Sequence, residues 1–328
     1  MARIGVIGGG SFGTAMACVL RRSRHEVRLW AREPEVVASI NEQRVNALFL
    51  AGVNLDPGIE ATGHLADAVR GSDFLLMAVP AQHVRRVALA LHPALAPGTP
   101  VVSCSKGMER ESSALMPEVL AEALPQARIA MLSGPSFARE IAADLPCGVA
   151  LACTDLALAQ KLAADIAHPR FCVHPGDDVV GTAIGGVMKN VVAIACGVAA
   201  GRRLGENARA TLLALGLAET VRLGRAKGAR SDTFTGLAGA GDMMLTAASL
   251  QSRNTSLGVA LGEGRRAGEV LAARREVTEG VHSAAAVTAL AQRLGVDMPI
   301  AAAVDEVVNR GGDLETAMAR VTARAALG

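Results

Sequence analysis

The chain contains no tyrosine, one tryptophan and six phenylalanines, so aromatic residues make up only 2% of it. The missing phenol excludes any mechanism that uses a tyrosine as acid or base, and with it the tyrosine-dependent short-chain reductases. So few aromatics also argue against the stacking platforms that hold single-stranded nucleic acids. An excess of one charge is lacking too. Thirty-three basic residues face 31 acidic ones, a net +2, which requires neither nucleic acid nor an anionic membrane as partner. The basic pairs Arg265-Arg266 and Arg274-Arg275 read as solvated helix faces. The six cysteines (Cys18, Cys104, Cys147, Cys153, Cys172, Cys196) form no C-x-x-C pair and have no metal-like spacing to the scattered histidines. That is the pattern of reduced, mostly buried small hydrophobes in a cytosolic protein, and no metal is expected. No apolar run reads as reaching the roughly 18 residues of a membrane span. The leader-like start MARIGVIGGGSFGTAMACVL is broken by three consecutive glycines. The chain therefore reads as cytoplasmic, with no membrane span.

What is present is core material: 51% apolar and 20% charged residues over 328 positions, enough for two domains. The first half alternates short apolar strands with helical segments. Strands are expected at Arg3 to Ile7, Glu26 to Trp30, Asp73 to Val79, Pro100 to Ser103 and Ala127 to Leu132; helices are expected at Thr14 to Arg22 and Ser112 to Ala123. Gly148 to Ala152 and Arg170 to Val173 read as final strands. Such alternation predicts an α/β Rossmann-type, doubly wound parallel sheet. From Val180 onward the pattern is Ala- and Leu-rich and almost wholly helical, with no clear strand. The predicted organisation is a dinucleotide-binding domain over 1–178 and an all-α substrate-binding and catalytic domain over 179–328.

The first strand runs into Gly8-Gly9-Gly10-Ser11-Phe12-Gly13, a G-x-G-x-x-G that opens a helix. Gly8 allows the tight turn, Gly10 lets backbone amides approach a pyrophosphate, and Gly13 lets helix and strand pack closely. The helix start adds oriented N–H groups and the positive end of its dipole. At the end of the second strand, where an acidic residue would hold a ribose 2′-hydroxyl, stands Arg32. It favours a 2′-phosphate, hence NADPH over NADH, or else is a solvated loop residue. Lys106 follows the Pro100 to Ser103 strand, at the end of the sheet where ligands bind in such folds. It is placed to meet an anion or is a surface lysine. Lys189 follows Gly185-Gly186 and reads as opening a long apolar helix. It either snorkels to solvent or sits in a cleft with a depressed pKa suited to proton transfer. Asp242 and Thr246 share a helix face. Ser252-Arg253-Asn254 combines a capping serine, a guanidinium fork and helix-start amides, which makes either a phosphate clamp or an ordinary cap.

Taken in order, GGGSFGTA, VPAQ, SKGME, GPSFARE, GGVMKN, GAGDMMLT, SRN and TEGV resemble the bacterial NAD(P)-dependent glycerol-3-phosphate dehydrogenases, from Ile4 to about Val308. The resemblance implies reversible reduction of dihydroxyacetone phosphate to sn-glycerol 3-phosphate for phospholipid synthesis, with NADPH or NADH as cofactor and a homodimer as the assembly. It further implies cofactor contacts at Ser11, Phe12, Arg32, Ala138, Val277 and Glu279. Lys106 matches a position touching both cofactor and substrate, and Gly134 and Ser136 match substrate-side positions. Lys189 matches the general acid/base, where it and Asp242 also line the substrate, and Thr246 matches a position near the active site. Ser252, Arg253 and Asn254 match the phosphate clamp, with Arg253 also near the cofactor. Gly9 and Phe12 depart mildly from the common GAGAWGTA, and GAGDMMLT replaces the commoner GLGDLILT. Two other readings stand beside this one. A 3-hydroxyacid dehydrogenase characteristically carries Lys and Asn four apart, whereas here Ala193 lies four after Lys189 and Asn190 is adjacent. A non-catalytic NADPH-binding regulator would have no use for Lys189, Asp242 and the SRN triplet together.

Overall fold

The structure is a computed structural model that describes residues 1–274 and 277–325. It forms two compact units, Met1–Ser105 with Met116–Val179, and Lys106–Leu115 with Val180–Gly328.

The first unit is built on eight strands: β1 (Arg3–Ile7), β2 (Glu26–Trp30), β3 (Ile59–Thr62), β4 (Phe74–Met77), β5 (Pro100–Ser103), β6 (Arg128–Ser133), β7 (Cys147–Cys153) and β8 (Phe171–Gly176). They form one sheet in the order β3-β2-β1-β4-β5-β6-β7-β8. Its helices are α1 (Ser11–Arg22), α2 (Pro34–Gln43), α3 (Leu65–Val69), α4 (Val84–Leu91), α5 (Met116–Ala123), α6 (Ala138–Ala142) and α7 (Leu156–Ile166). Strands buried on both faces need unbroken apolar runs, and all four residues of β4 (FLLM) are buried. Met16, Val19 and Leu20 of α1 join Ile4, Val6, Leu29, Phe74 and Leu76 in one core.

The expected all-parallel sheet is corrected at one pair. β7 runs antiparallel to β6, with Ser133 opposite Ala150. The β6–β7 link turns at Gly134, whose φ is +139°, carries the five-residue α6, and returns the chain so that β7 enters from the end where β6 left. The 11-residue α7 then makes β8 parallel to β7. β3 has no counterpart among the expected strands, its four residues (IEAT) being too few and too polar to stand out.

The second unit contains α8 (Val179–Gly201), α9 (Gly205–Ala226), α10 (Asp242–Ala248), α11 (Arg253–Gly262), α12 (Ala267–Ala272), α13 (Glu279–Leu294), α14 (Pro299–Asn309) and α15 (Leu314–Ala325). Two sequence expectations fail at α8. It does reach the length and hydropathy of a membrane span, with a mean hydropathy of 1.7, but 83% of that stretch is buried, as in the core helix of a globular unit. It also begins at Val179 rather than near Lys189, so the lysine sits mid-helix. Gly185 and Gly186 do not end the helix. A Cβ on Gly185 would lie 2.2 Å from the Ala238 carbonyl oxygen, so this glycine permits the chain before α10 to press against α8.

Lower on α8, Gly197-Val-Ala-Ala-Gly201 meets Gly258-Val-Ala-Leu-Gly262 of α11. A Cβ on Gly258 would fall 2.1 Å from the Ile194 carbonyl oxygen, and one on Gly197 2.2 Å from that of Thr255. The two helices thus touch backbone to backbone. The segment Lys106–Leu115 closes on itself through a Met108–Leu115 bridge. It is tied to the helices by Asn190 Nδ2, which donates to the Lys106 carbonyl at 2.9 Å, and by Arg293, which donates to that of Ser112 at 3.2 Å.

Candidate active site

In the first unit the glycine-rich turn has the form a dinucleotide needs. Gly8 has φ +127°, and a Cβ on Gly13 would stand 1.9 Å from the Gly8 carbonyl oxygen. Around Gly10, by contrast, nothing lies within 4 Å of where a Cβ would be, and no side chain caps the first turn of α1. The turn therefore leaves room for a pyrophosphate beside helix-start amides, which fits a bound dinucleotide. Ser11 and Phe12, on that first turn, are half-buried.

One residue that braces the turn escaped the sequence reading. Asn46, fully buried, donates from Nδ2 to the Gly9 carbonyl and to Thr14 Oγ1, each at 2.8 Å, while its Oδ1 accepts from the Phe49 amide. It lies in an irregular stretch with no periodicity, where a lone asparagine carries no signal.

Arg32 follows β2, exposed, its fork held by Glu33 Oε1 at 2.6 and 3.0 Å. Burial lowers the pKa of His83 on the turn after β4, and the charges of Arg86 and Arg32 lower it further, so this edge is electropositive. Gly134 and Ser136 form the turn after β6, where Ser136 Oγ donates to the Gly134 carbonyl at 2.7 Å. Ala138 is the first residue of α6.

In the second unit four side chains converge. Asp242, 1% exposed, accepts from Lys106 Nζ at 2.7 Å through Oδ2 and from Lys189 Nζ at 3.1 Å through Oδ1. Lys189 Nζ also donates to Thr246 Oγ1 at 3.1 Å, and Thr246 Oγ1 in turn donates to Asp242 Oδ1 at 3.3 Å. Each helix position has its reason. α8 presents Lys189 from its buried middle, and the four-residue spacing on α10 stacks Asp242 and Thr246 on one face.

Burial pushes the Lys189 ammonium down to about 8. Asp242 pulls it up, and the charges of Lys106 and Arg253 press it down again. Burial alone would raise the pKa of Asp242, but the Lys106 and Lys189 charges outweigh it and hold the carboxyl below its usual range. Two ammonium groups share one carboxylate, which leaves a surplus positive charge suited to an anionic substrate.

The SRN triplet opens α11. Ser252 Oγ caps the helix by accepting from the Thr255 amide at 3.2 Å, and Thr255 Oγ1 donates to the Thr246 carbonyl at 2.6 Å. Asn254 is buried and internally engaged. Its Nδ2 donates to Asn190 Oδ1 at 2.8 Å, and its Oδ1 accepts from the Gly280 amide at 2.9 Å. With Asn190 bonded to the Lys106 carbonyl, a continuous relay runs from Lys106 through both asparagines to the start of α13. Asn190, next to Lys189 in sequence, has its role set by these distant partners, which no local pattern signals. Arg253 is exposed on the first turn, Val277 lies in the segment before α13, and Glu279 begins that helix.

Thus the structure brings Lys106, Lys189, Asp242, Thr246, Ser252, Arg253 and Asn254 into one helical unit. Gly8, Gly10, Ser11, Phe12, Gly13, Arg32, Gly134, Ser136 and Ala138 lie in the sheet unit. Of the basic pair expected as a solvated face, Arg274 is instead half-buried and hydrogen-bonded to α11, and Arg275 lies outside the described residues. An apolar cavity of about 270 Å³ among α8, α9, α14 and α15 is lined by aliphatic residues with only Thr211 and Thr322 as polar side chains. Among the described residues it is lined by no titratable group that could carry the chemistry.

A family description of the NAD-dependent glycerol-3-phosphate dehydrogenase N-terminus matches residues 3–159, and that of its C-terminus matches residues 178–319. The NAD(P)+ glycerol-3-phosphate dehydrogenase of Rhodospirillum rubrum is 52% identical over 98% of this chain and 92% of its own. That of Parvibaculum lavamentivorans is 49% identical over 98% and 96%. The crystal structure of glycerol-3-phosphate dehydrogenase from Coxiella burnetii superposes with a TM-score of 0.93 at 36% identity, covering 98% of both chains. The glycine-rich turn, the paired lysines on one aspartate and these matches along both units agree: the chain belongs to the NAD-dependent glycerol-3-phosphate dehydrogenase family.

Proposed function

We propose that the chain catalyses the reversible, NAD(P)H-dependent reduction of dihydroxyacetone phosphate to sn-glycerol 3-phosphate. The sheet unit binds the dinucleotide, and the helical unit holds the phosphorylated substrate. The observation that carries this reading is Lys189 Nζ, buried and held by Asp242 and Thr246 with a pKa near 8. When bound, NAD(P)H supplies the hydride. Lys189 donates a hydrogen bond to the substrate carbonyl oxygen, polarises it, and passes its proton to the developing alkoxide. Asp242 aims Lys189 and raises its pKa, while Lys106, on the other carboxylate oxygen, adds positive charge beside the reacting oxygen. Arg253 and the first turn of α11 hold the phosphate, which turns remote binding energy into orientation.

Arg32, beside His83 and Arg86, supports a preference for NADPH; a 2′-phosphate competes with Glu33 for the guanidinium fork. A cytoplasmic homodimer acting in phospholipid synthesis completes the reading. Oxidation of NADPH followed at its absorption band, with dihydroxyacetone phosphate as substrate, tests it. Consumption of a 3-hydroxyacid instead, or cofactor binding with no turnover on either, would overturn it.

Two further results are expected. Trp30 ends β2, its Nε1 donating to the Gly63 carbonyl at 3.1 Å, two residues before Arg32. Saturating NADPH should change the emission of this single tryptophan, and an unchanged spectrum after absorption correction would place the cofactor elsewhere.

The second concerns pH. Reduction needs Lys189 protonated and oxidation needs it neutral, so the reductive rate should fall as pH rises through about 8 while the oxidative rate climbs. Asp242→Asn removes the carboxylate that raises the Lys189 pKa, so the falling limb of the reductive profile should move to lower pH. A limb that stays in place in that variant would show that another group titrates.

A further inference from the structure

We infer that Arg274 is a positioning residue of the phosphate clamp, fixing the first turn of α11 through the Arg253 carbonyl. Its Nη1 donates to that carbonyl oxygen at 2.6 Å and to Thr278 Oγ1 at 3.3 Å, and its Nη2 donates to Ser256 Oγ at 3.0 Å. Ser256 Oγ itself donates to the Arg253 carbonyl at 3.2 Å.

The peptide unit is planar, so the carbonyl of Arg253 and the amide N–H of Asn254 lie in one rigid plane and point in opposite directions. Holding the oxygen therefore aims the N–H. That N–H belongs to the first turn, whose amides lack intrahelical partners and serve an anion at a helix start. The Thr255 amide is already taken by Ser252 Oγ, so the aim of the amides before it matters all the more.

Arg274 also joins two elements. Thr278 is the residue before α13, and two positions on, the Gly280 amide bonds Asn254 Oδ1. The start of α13 is thus tied to the first turn of α11 twice, once through Arg274 and once through Asn254. A guanidinium suits the task because its planar fork reaches three oxygens at set angles, which an ammonium on a flexible stem cannot do. The location also demands a good reason for a cation. Arg274 is half-buried, with the charges of Arg253 and Arg265 pressing on it, and it stands beside the positive end of the α11 dipole. An arginine held there against like charge belongs to a site that receives an anion.

This inference rests on the proposed reduction of dihydroxyacetone phosphate, and its test separates the two. Arg274→Ala and Arg274→Lys are compared with the unaltered enzyme, using dihydroxyacetone phosphate and unphosphorylated dihydroxyacetone as substrates and inorganic phosphate as inhibitor. Arg274→Ala should lower kcat/KM for the phosphorylated substrate about 10- to 30-fold, leave that for dihydroxyacetone within about twofold, and raise the inhibition constant of phosphate by a similar factor. Arg274→Lys should recover only part of the loss. An equal loss on both substrates, or no loss on the phosphorylated one, would overturn the role of Arg274 while leaving the activity standing. If the unaltered enzyme does not reduce dihydroxyacetone phosphate, the functional reading itself fails. A phosphate inhibition constant that does not move in Arg274→Ala counts against the inference whatever the turnover.

Discussion

Lys189→Ala is expected to lower kcat by roughly 10³- to 10⁴-fold, the range over which a positioned acid and its electrostatic effect contribute. The size of the effect follows from the lack of substitutes. With no tyrosine in the chain, the phenol that other reductases use is unavailable. Among the groups gathered around Asp242, Lys106 donates to the far carboxylate oxygen, and the Thr246 hydroxyl is too weak an acid to protonate an alkoxide at neutral pH. Cofactor affinity should stay within about threefold, because the glycine-rich turn, Arg32 and the electropositive edge beside His83 all belong to the sheet unit. Removing the ammonium also leaves Asp242 with Lys106 as partner, so the buried carboxylate is not stranded and the variant should fold. Single-turnover rates together with NADPH titration of the Trp30 emission check both halves. A kcat close to that of the unaltered enzyme would sink the assignment of Lys189 as acid/base. A lost cofactor site would show that the substitution acts through folding instead.

Gly258→Ala should be the most damaging single methyl group in the helical unit. The new Cβ would lie 2.1 Å from the Ile194 carbonyl oxygen and 2.9 Å from Gly197 Cα, and neither is the movable end of a side chain. To accept it α8 and α11 must separate by about 1 Å or more, which opens the packing along both G-x-x-x-G faces. Overpacking at a site that cannot yield costs about 3 kcal/mol, or several degrees in Tm for a chain of this size. The functional consequence is distinct from the loss of stability. Lys189 and Asn190 ride on α8 and Arg253 and Asn254 on α11, so separating the helices moves Lys189 away from Arg253 and stretches the Asn190–Asn254 bond of 2.8 Å. Thermal melts should show the drop in Tm, and assays well below the new Tm should still show a reduced kcat/KM. By contrast Gly268→Ala, where a Cβ meets nothing within 4 Å, should leave both unchanged. An unaltered Tm in Gly258→Ala would mean that the helices are farther apart than this structure has them.

Much of the site was legible because its chemistry is written in short, local patterns. G-x-G-x-x-G between a strand and a helix specifies a turn and a helix start without help from distant residues, and the Asp242–Thr246 spacing alone puts both on one face. SRN was legible as a cap, since Ser252 bonds an amide only three residues on. The misses have the opposite character. Asn46 braces Gly9 from 37 residues away, and Asn190 joins Lys106 and Asn254 over 84 and 64 positions. Arg274 reads in sequence as one of a solvated basic pair, and only its partners on α11, 21 and 18 positions away, give it a place in the site. The antiparallel direction of β7 shows only in its pairing with β6, Ser133 opposite Ala150, which no local pattern in either strand signals.

By itself the amino-acid sequence determined the fold class, the helical character after Val180, and which residue types were available for proton transfer and phosphate binding, since periodicity, glycine placement and the lack of tyrosine act within a few residues of chain. Only the tertiary structure decided that one aspartate serves two lysines, that Lys106 belongs with the helices, and that α8 is a buried core helix instead of a membrane span. The physical reason is the range of the forces concerned. Backbone preferences and capping are settled locally. Burial, and with it the shift of the Lys189 ammonium to about 8, exists only once α8, α10 and α11 have closed around the same side chains.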